Sequence, residues 1–288
     1  MVDTRTRTFP FFTPSGAMMQ DAIGIFDSGI GGLTVLREIL REIPDEHTIY
    51  LGDTARVPYG TRSPETVRRY SLQAAGFMAE KSVKLLVIGC HTSSAVALPT
   101  LREVFAGRLE VVGVVEPSVR EALHVSRTRR IGVIGTDATI RSGAYTQALK
   151  AIDPEVQVFT KACPLFVGLA EEGWEETEVA ALTAERYLSG FRKLGVDTLI
   201  LGCTHYPVLR GVIERTLGEG IGLIDAGRAT ATAVHDLLKE NGRARLSSSA
   251  GNRCAEHLYY VTDAHERFVK VGSRFLGQDL AGVITVEI

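Results

Sequence analysis

The feature that most constrains the fold is a repeat. The stretch Val196-Asp197-Thr198-Leu199-Ile200-Leu201-Gly202-Cys203-Thr204-His205-Tyr206-Pro207 has a near-copy upstream in Val83-Lys84-Leu85-Leu86-Val87-Ile88-Gly89-Cys90-His91-Thr92. Each copy is a short, β-rich apolar run, then Gly-Cys, then small or polar residues entering a helical segment. A short apolar run flanked by polar residues predicts a parallel strand buried on both faces. Each cysteine then lies at the carboxyl end of a strand beside a helix N-terminus, where open α/β sheets bind ligands. The free N–H groups and partial positive charge there favour a thiolate over a thiol and can hold a carboxylate. A single cysteine after a strand is more often a small buried filler. Two in matching contexts, each followed by hydroxyl and imidazole side chains, point instead to a pair of thiols facing one substrate.

The chain around these stretches alternates strand and helix. A strand over residues 22–26 runs into the turn Asp27-Ser28-Gly29-Ile30-Gly31-Gly32 and a helix over 33–43. A strand over 48–51 precedes a loop with Val57-Pro58-Tyr59-Gly60, and Ser63-Pro64-Glu65 opens a helix reaching about residue 81. After Cys90 come a helix over 93–105, with Pro99 as a kink point, and a strand over 111–115 ending at Glu116-Pro117-Ser118. The pattern then restarts: residues 130–136 match 22–28 position by position, Gly135 facing Asp27 and Thr136 facing Ser28. A helix over 140–152, a strand over 156–160, the segment Cys163 to Gly173 and a helix over 177–193 lead into the second cysteine strand. A strand over 221–224, a helix over 229–239 and a final strand near 257–261 are expected to return the chain to the first unit.

The expected fold is therefore α/β, with two pseudosymmetric α/β domains on mainly parallel central sheets and a site in the cleft between them. The expected boundaries are 21–115 with 226–288 for the first domain and 116–225 for the second. Residues 1–20 read as a disordered extension, with Met18 or Met19 a possible start, and 242–253 as an exposed loop.

Composition narrows the function classes. A net charge of −2 over 288 residues implies neither nucleic acid nor an anionic membrane surface as partner. No apolar run reaches the ~18 residues of a spanning helix. Four cysteines with no Cys-x-x-Cys pair, and no secretory signal, argue for a reducing cytosol and against a disulfide framework. The cysteines and histidines lack a zinc spacing, so no metal is expected. Cys163 and Cys254 read as structural, as does the lone Trp174.

Three segments carry a resemblance: Phe26-Asp27-Ser28-Gly29-Ile30-Gly31-Gly32-Leu33-Thr34-Val35, Gly52-Asp53-Thr54-Ala55-Arg56-Val57-Pro58-Tyr59-Gly60 and Gly202-Cys203-Thr204-His205-Tyr206-Pro207. They resemble the signature segments of the glutamate racemases, cofactor-independent members of the aspartate/glutamate racemase superfamily. The likeness runs from about residue 22 to the C-terminus. It implies interconversion of L- and D-glutamate, D-glutamate for peptidoglycan, a bacterial cytosol and a homodimer. It also implies that Cys90 takes the proton from D-glutamate and Cys203 from L-glutamate. By matching positions, Asp27 is the carboxylate near the first thiol and Ser28 a substrate contact; Glu171 and His205 are the acid and imidazole near the second. Glu172 beside Glu171 leaves that register open by one. Pro58, Tyr59, Gly60, Thr92, Thr136 and Thr204 are expected around the substrate, with strand-end capping as their alternative role.

The chemistry agrees with the residues. Racemisation takes the α-proton from one face and returns one to the other, which suits two bases on opposite walls of a cleft. A thiol, with an ordinary pKa of about 8.5, can serve as either partner. One departure stands out: the family has Cys-Asn-Thr where this chain has Cys90-His91-Thr92. Imidazole offers a different donor and acceptor set from an amide, so His91 is expected to meet the substrate differently. This keeps an aspartate or other small-carboxylate racemase open as an alternative. A binding protein on the same scaffold is a more distant one, since it has no use for two thiols.

Overall fold

The computed structural model describes residues 21–245 and 255–288. The expected extension over 1–20, most of the loop over 242–253 and Cys254 lie outside the described residues.

Two parallel sheets organise the molecule. In the first, β1 (Ile23–Asp27) lies between β2 (Thr48–Gly52) and β3 (Leu85–Ile88), with β4 (Glu110–Gly113) outside β3. In the second, β5 (Arg130–Gly135) lies between β6 (Gln157–Ala162) and β7 (Thr198–Gly202), with β8 (Gly222–Asp225) outside β7. The orders β2-β1-β3-β4 and β6-β5-β7-β8 correspond strand for strand, so the repeat seen in the sequence is a repeat of topology. Strands β1, β2, β3 and β7 are buried at every residue, as their unbroken apolar runs require.

The helices follow from local signals. Helix α1 (Leu33–Glu42) turns Leu33, Val35, Leu36 and Ile39 inward. Helix α2 (Pro64–Glu80) starts where Ser63 accepts from Thr66 N and proline occupies the first turn. Helix α3 (His91–Val104) begins two residues earlier than expected, so Cys90 itself is its N-cap, and it runs through Pro99. Helix α4 (Val115–Val125) replaces the expected end of a strand. Its β-branched entry resembles a strand, but Pro117 falls in the first turn, where its missing N–H costs nothing. Val115, Val119, Ala122 and Leu123 then keep the helical period.

The expected helix over 140–152 is two helices, α5 (Asp137–Ser142) and α6 (Ala144–Ile152), separated by Gly143 at φ 69°. The segment after Cys163 forms α7 (Leu165–Glu172), which precedes α8 (Glu178–Lys193). Helix α9 (Arg210–Leu217) leads to β8, which stays with the second sheet instead of returning to the first. The return begins with α10 (Ala226–Glu240), whose Gly227 packs on Thr34 and Val35 of α1. It ends with β9 (His257–Val261), which pairs with β2. That strand is not the last element: α11 (His265–Leu276) and β10 (Val283–Thr285) follow, β10 extending the first sheet beyond β9.

One apolar cluster runs through both units, from Ile25 and Leu36 through Phe275 to Leu201 and Tyr206. A second covers the other face of the first sheet, and a third joins α4, β5 and Tyr145. No helix of the described residues is long and apolar enough to cross a membrane.

Candidate active site

The carboxyl ends of the central strands carry the chemistry, and the two units meet there. Cys90 follows β3 after Gly89, with its sulfur 3.5 Å from Ser93 N and its thiol donating to Ser28 Oγ at 3.4 Å. Asp27, at the end of β1, is 1% exposed. Its Oδ1 accepts from Gly29 N at 2.8 Å, while its Oδ2 is buried without a partner. Burial pushes this carboxyl up, against the opposing pull of His205 and the Gly29 and Gly32 N–H groups. Burial, and then the charge of Asp27, push the Cys90 thiol up to about 11.

Cys203 occupies the equivalent place after β7 but has different company. His205 Nδ1 lies 3.8 Å from its sulfur, and His205 Nε2 lies 3.0 Å from Glu171 Oε1. Glu171, not Glu172, is thus the carboxylate on the imidazole. Burial opposes charge on His205, but its hydrogen bonds to Cys203 and Glu171 outweigh that and raise it to about 10. Burial likewise opposes charge on Glu171, and His205 and Arg267 together hold it down at about 2.

The two half-sites are locked together by short contacts. Thr34 Oγ1, on α1, donates to the Thr204 carbonyl at 2.9 Å. A Cβ on Gly31 would lie 2.2 Å from Thr204 Oγ1 and 2.6 Å from the His205 ring, so only glycine permits this approach. Thr92 Oγ1 lies 3.0 Å from Thr136 Oγ1 and 3.2 Å from Thr139 Oγ1. Gly60 packs against Thr136, where a Cβ would lie 2.8 Å from the threonine Cβ. Both thiols are only 5% exposed, so the site is closed.

The expected site residues therefore converge, with two qualifications. The Tyr59 hydroxyl donates to Asp53, which also binds Arg56 and Thr262. That hydroxyl is committed within the first unit, and the exposed Pro58 and buried Gly60 leave mainly backbone to offer a ligand. His91 is 3% exposed and stacks on Tyr145 with ring centroids 6.4 Å apart; its ring nitrogens make no close hydrogen bond and meet only the Leu201 backbone. Burial and the charge of His205 push its imidazole down to about 3, so it is neutral. Cys163 is fully buried in the core, and Trp174 is half exposed. Sequence reasoning missed Thr34, Gly31 and Thr139, although the first two lie inside the Asp27–Val35 motif. It also missed everything contributed by α11.

Comparison with known proteins agrees with this geometry. The model of the family described as Asp/Glu/Hydantoin racemase matches residues 23–234. A glutamate racemase of Geobacter metallireducens is 55% identical over 93% of this chain and 97% of its own. A crystal structure of a glutamate racemase isoform from Bacillus anthracis superposes with a TM-score of 0.87 at 36% identity, covering 94% of this chain and 98% of that one. The Francisella tularensis glutamate racemase, solved in complex with D-glutamate, gives a TM-score of 0.85 at 36% identity over 93% and 98%. The chain belongs to the Asp/Glu/hydantoin racemase family, and within it groups with the glutamate racemases.

Proposed function

We propose that the protein interconverts L- and D-glutamate by proton transfer between two thiols. The observation that carries this reading is the pair of cysteines at equivalent strand ends of two like sheets, each with its own proton partner. A thiolate on one side removes the α-proton while the thiol opposite delivers one, and the roles exchange with each turnover. Asp27 serves Cys90, and the Glu171–His205 pair serves Cys203; protonated His205 can donate to the Cys203 sulfur. Following the family, Cys90 acts on D-glutamate and Cys203 on L-glutamate. The N-terminus of α3 and the hydroxyls of Ser28, Thr92, Thr136 and Thr204 suit the substrate's carboxylates, and His91, Pro58, Tyr59 and Gly60 complete its surroundings.

The negative charge that develops during proton removal is stabilised best where water is excluded, and the closed site provides that. Substrate entry then requires the two units, 21–115 with 226–288 and 116–225, to part along the contacts of Gly31 and Gly60. The proposed setting is a homodimer in the bacterial cytosol supplying D-glutamate for peptidoglycan, with no cofactor, metal, nucleic-acid or membrane partner.

The test is circular dichroism on L-glutamate, with L-aspartate in parallel, using protein dialysed against chelator and free of aldehyde-cofactor absorbance. Loss of the glutamate signal to zero is expected. Activity that returns only with pyridoxal phosphate or zinc, or that appears with aspartate alone, would overturn the reading.

A further inference from the structure

The Glu171–His205 pair is enclosed by a helix from the other unit. Helix α11 buries Phe268, Val271, Gly272, Phe275 and Leu276. Through Phe268 on Tyr50 and Gly272 against Leu33 it packs on the first unit. Its remaining face reaches α7 of the second unit. There Arg267 Nη2 lies 3.0 Å from Glu171 Oε2 and 3.2 Å from Glu172 Oε1, one guanidinium bridging two carboxylates. Arg274 Nη2 donates to the carbonyls of Ala170 at 2.5 Å and Glu171 at 3.0 Å, closing the end of α7. Gly173, at φ 73°, leaves the space for this; a Cβ there would lie 2.8 Å from Arg274 Nη1. Phe275 meets the His205 ring edge-on, centroids 5.4 Å apart.

The two oxygens of Glu171 thus have separate partners. Oε1 faces His205 and Oε2 faces Arg267. Without Arg267, Oε2 loses its partner, and the His205 contact on Oε1 is left alone to hold the carboxylate in place beside Glu172. The family match ends at residue 234, so the helix that performs this task lies beyond it.

Resting on the function proposed above, we infer that Arg267 is a positioning residue for the second thiol, acting from the first unit through Glu171 on His205. The groups facing the pair are Cys203, Asp27 and His91 around the imidazole, and Arg267 and Glu172 around the carboxylate, with Arg274 on the Glu171 backbone carbonyl.

The Arg267 side chain is 51% exposed, so Arg267→Gln should fold normally. Two measurements test it. The first follows the Glu171 carboxyl by ¹³C NMR, assigned with Glu171→Gln, and needs no turnover. Arg267 favours the charged carboxylate, so its loss should move the titration to higher pH by about half a unit or more. The second is the pH profile of kcat/KM. Its acid limb should rise in step, with a loss of about three- to tenfold near neutrality, the scale of a partly exposed ion pair. Arg267→Lys should restore part of both. Glu172→Gln should stay within about twofold of the wild type.

An unmoved Glu171 titration in Arg267→Gln overturns the inference, whether or not activity falls. A wild type that does not racemise glutamate would defeat the proposed function instead, and the titration would still decide the role of Arg267.

Discussion

Gly31→Ala tests the contact on which the closed site depends. The added Cβ would sit 2.6 Å from Cε1 and Nδ1 of His205 and 2.2 Å from Thr204 Oγ1. The threonine hydroxyl can rotate away, but the imidazole cannot. It is held by Glu171 at 3.0 Å on one nitrogen, and it packs on Phe275. Restoring an ordinary contact of about 3.5 Å requires the ring, or the whole second unit, to retreat by ~0.9 Å. Displacements near 1 Å at reacting groups cost on the order of a hundredfold in rate. Overpacking of this size also costs about 1–3 kcal/mol of stability, or several degrees in Tm.

The assay is circular dichroism at low concentrations of L- and of D-glutamate, with Tm measured alongside. The enantiomers have equal free energies in water, so the equilibrium constant is one. The fall in kcat/KM must therefore be the same in both directions. Gly29→Ala is the internal control. It lies in the same turn, but its Cβ would meet Val57 at an ordinary 3.5 Å, so activity should stay within about threefold. A Gly31→Ala protein with kcat/KM within about twofold of the wild type and an unchanged Tm would refute the argument.

Other outcomes follow from the same geometry. Cys90→Ser, tested with α-deuterated substrates, should show its larger isotope effect on D-glutamate, and Cys203→Ser on L-glutamate; the same response in both variants would deny the thiols opposite faces. His91→Asn should keep racemisation within about tenfold, ~1.4 kcal/mol in barrier. His91→Ala should lose more, and His91→Leu should keep Tm close to the wild type, because the ring makes no close hydrogen bond and meets only the Leu201 backbone. Equal full activity in all three would leave His91 as packing alone. His205, raised from 6.5 to about 10 by folding, contributes stability that is fully present below about pH 6.5 and lost as pH rises through 10. The urea midpoint should therefore fall between pH 7 and pH 10, and fall less in His205→Gln; an equal fall in both would acquit His205.

The sequence by itself determined the duplicated α/β plan and the placing of both thiols. Apolar runs such as 85–88 and 198–202, each ending in Gly-Cys, have few solutions other than buried parallel strands. Residues 130–136 echo 22–28 closely enough to show the repeat. Asp27 and His205 were legible because they lie beside these motifs, and Glu171 only through the family resemblance, with Glu172 as its rival. Helices α4 and α7 were not. One enters through a β-branched run, and the other is a short segment whose first six residues show no polar face, so local pattern could not separate helix from strand or loop.

The asymmetry between the thiols belongs to the tertiary structure. The repeat makes Cys90 and Cys203 look alike, yet one lies beside a buried carboxylate and the other beside a charged imidazole. The difference comes from side chains remote in sequence: Thr34 bonds to Thr204, and Arg267 and Phe275 reach Glu171 and His205. His91 likewise reads as a polar substitution at a motif position, but only its burial beside Tyr145 and the charge of His205 make it neutral. Local sequence sets which strand a residue follows. Burial and charge at the site are sums over neighbours that only the folded chain assembles.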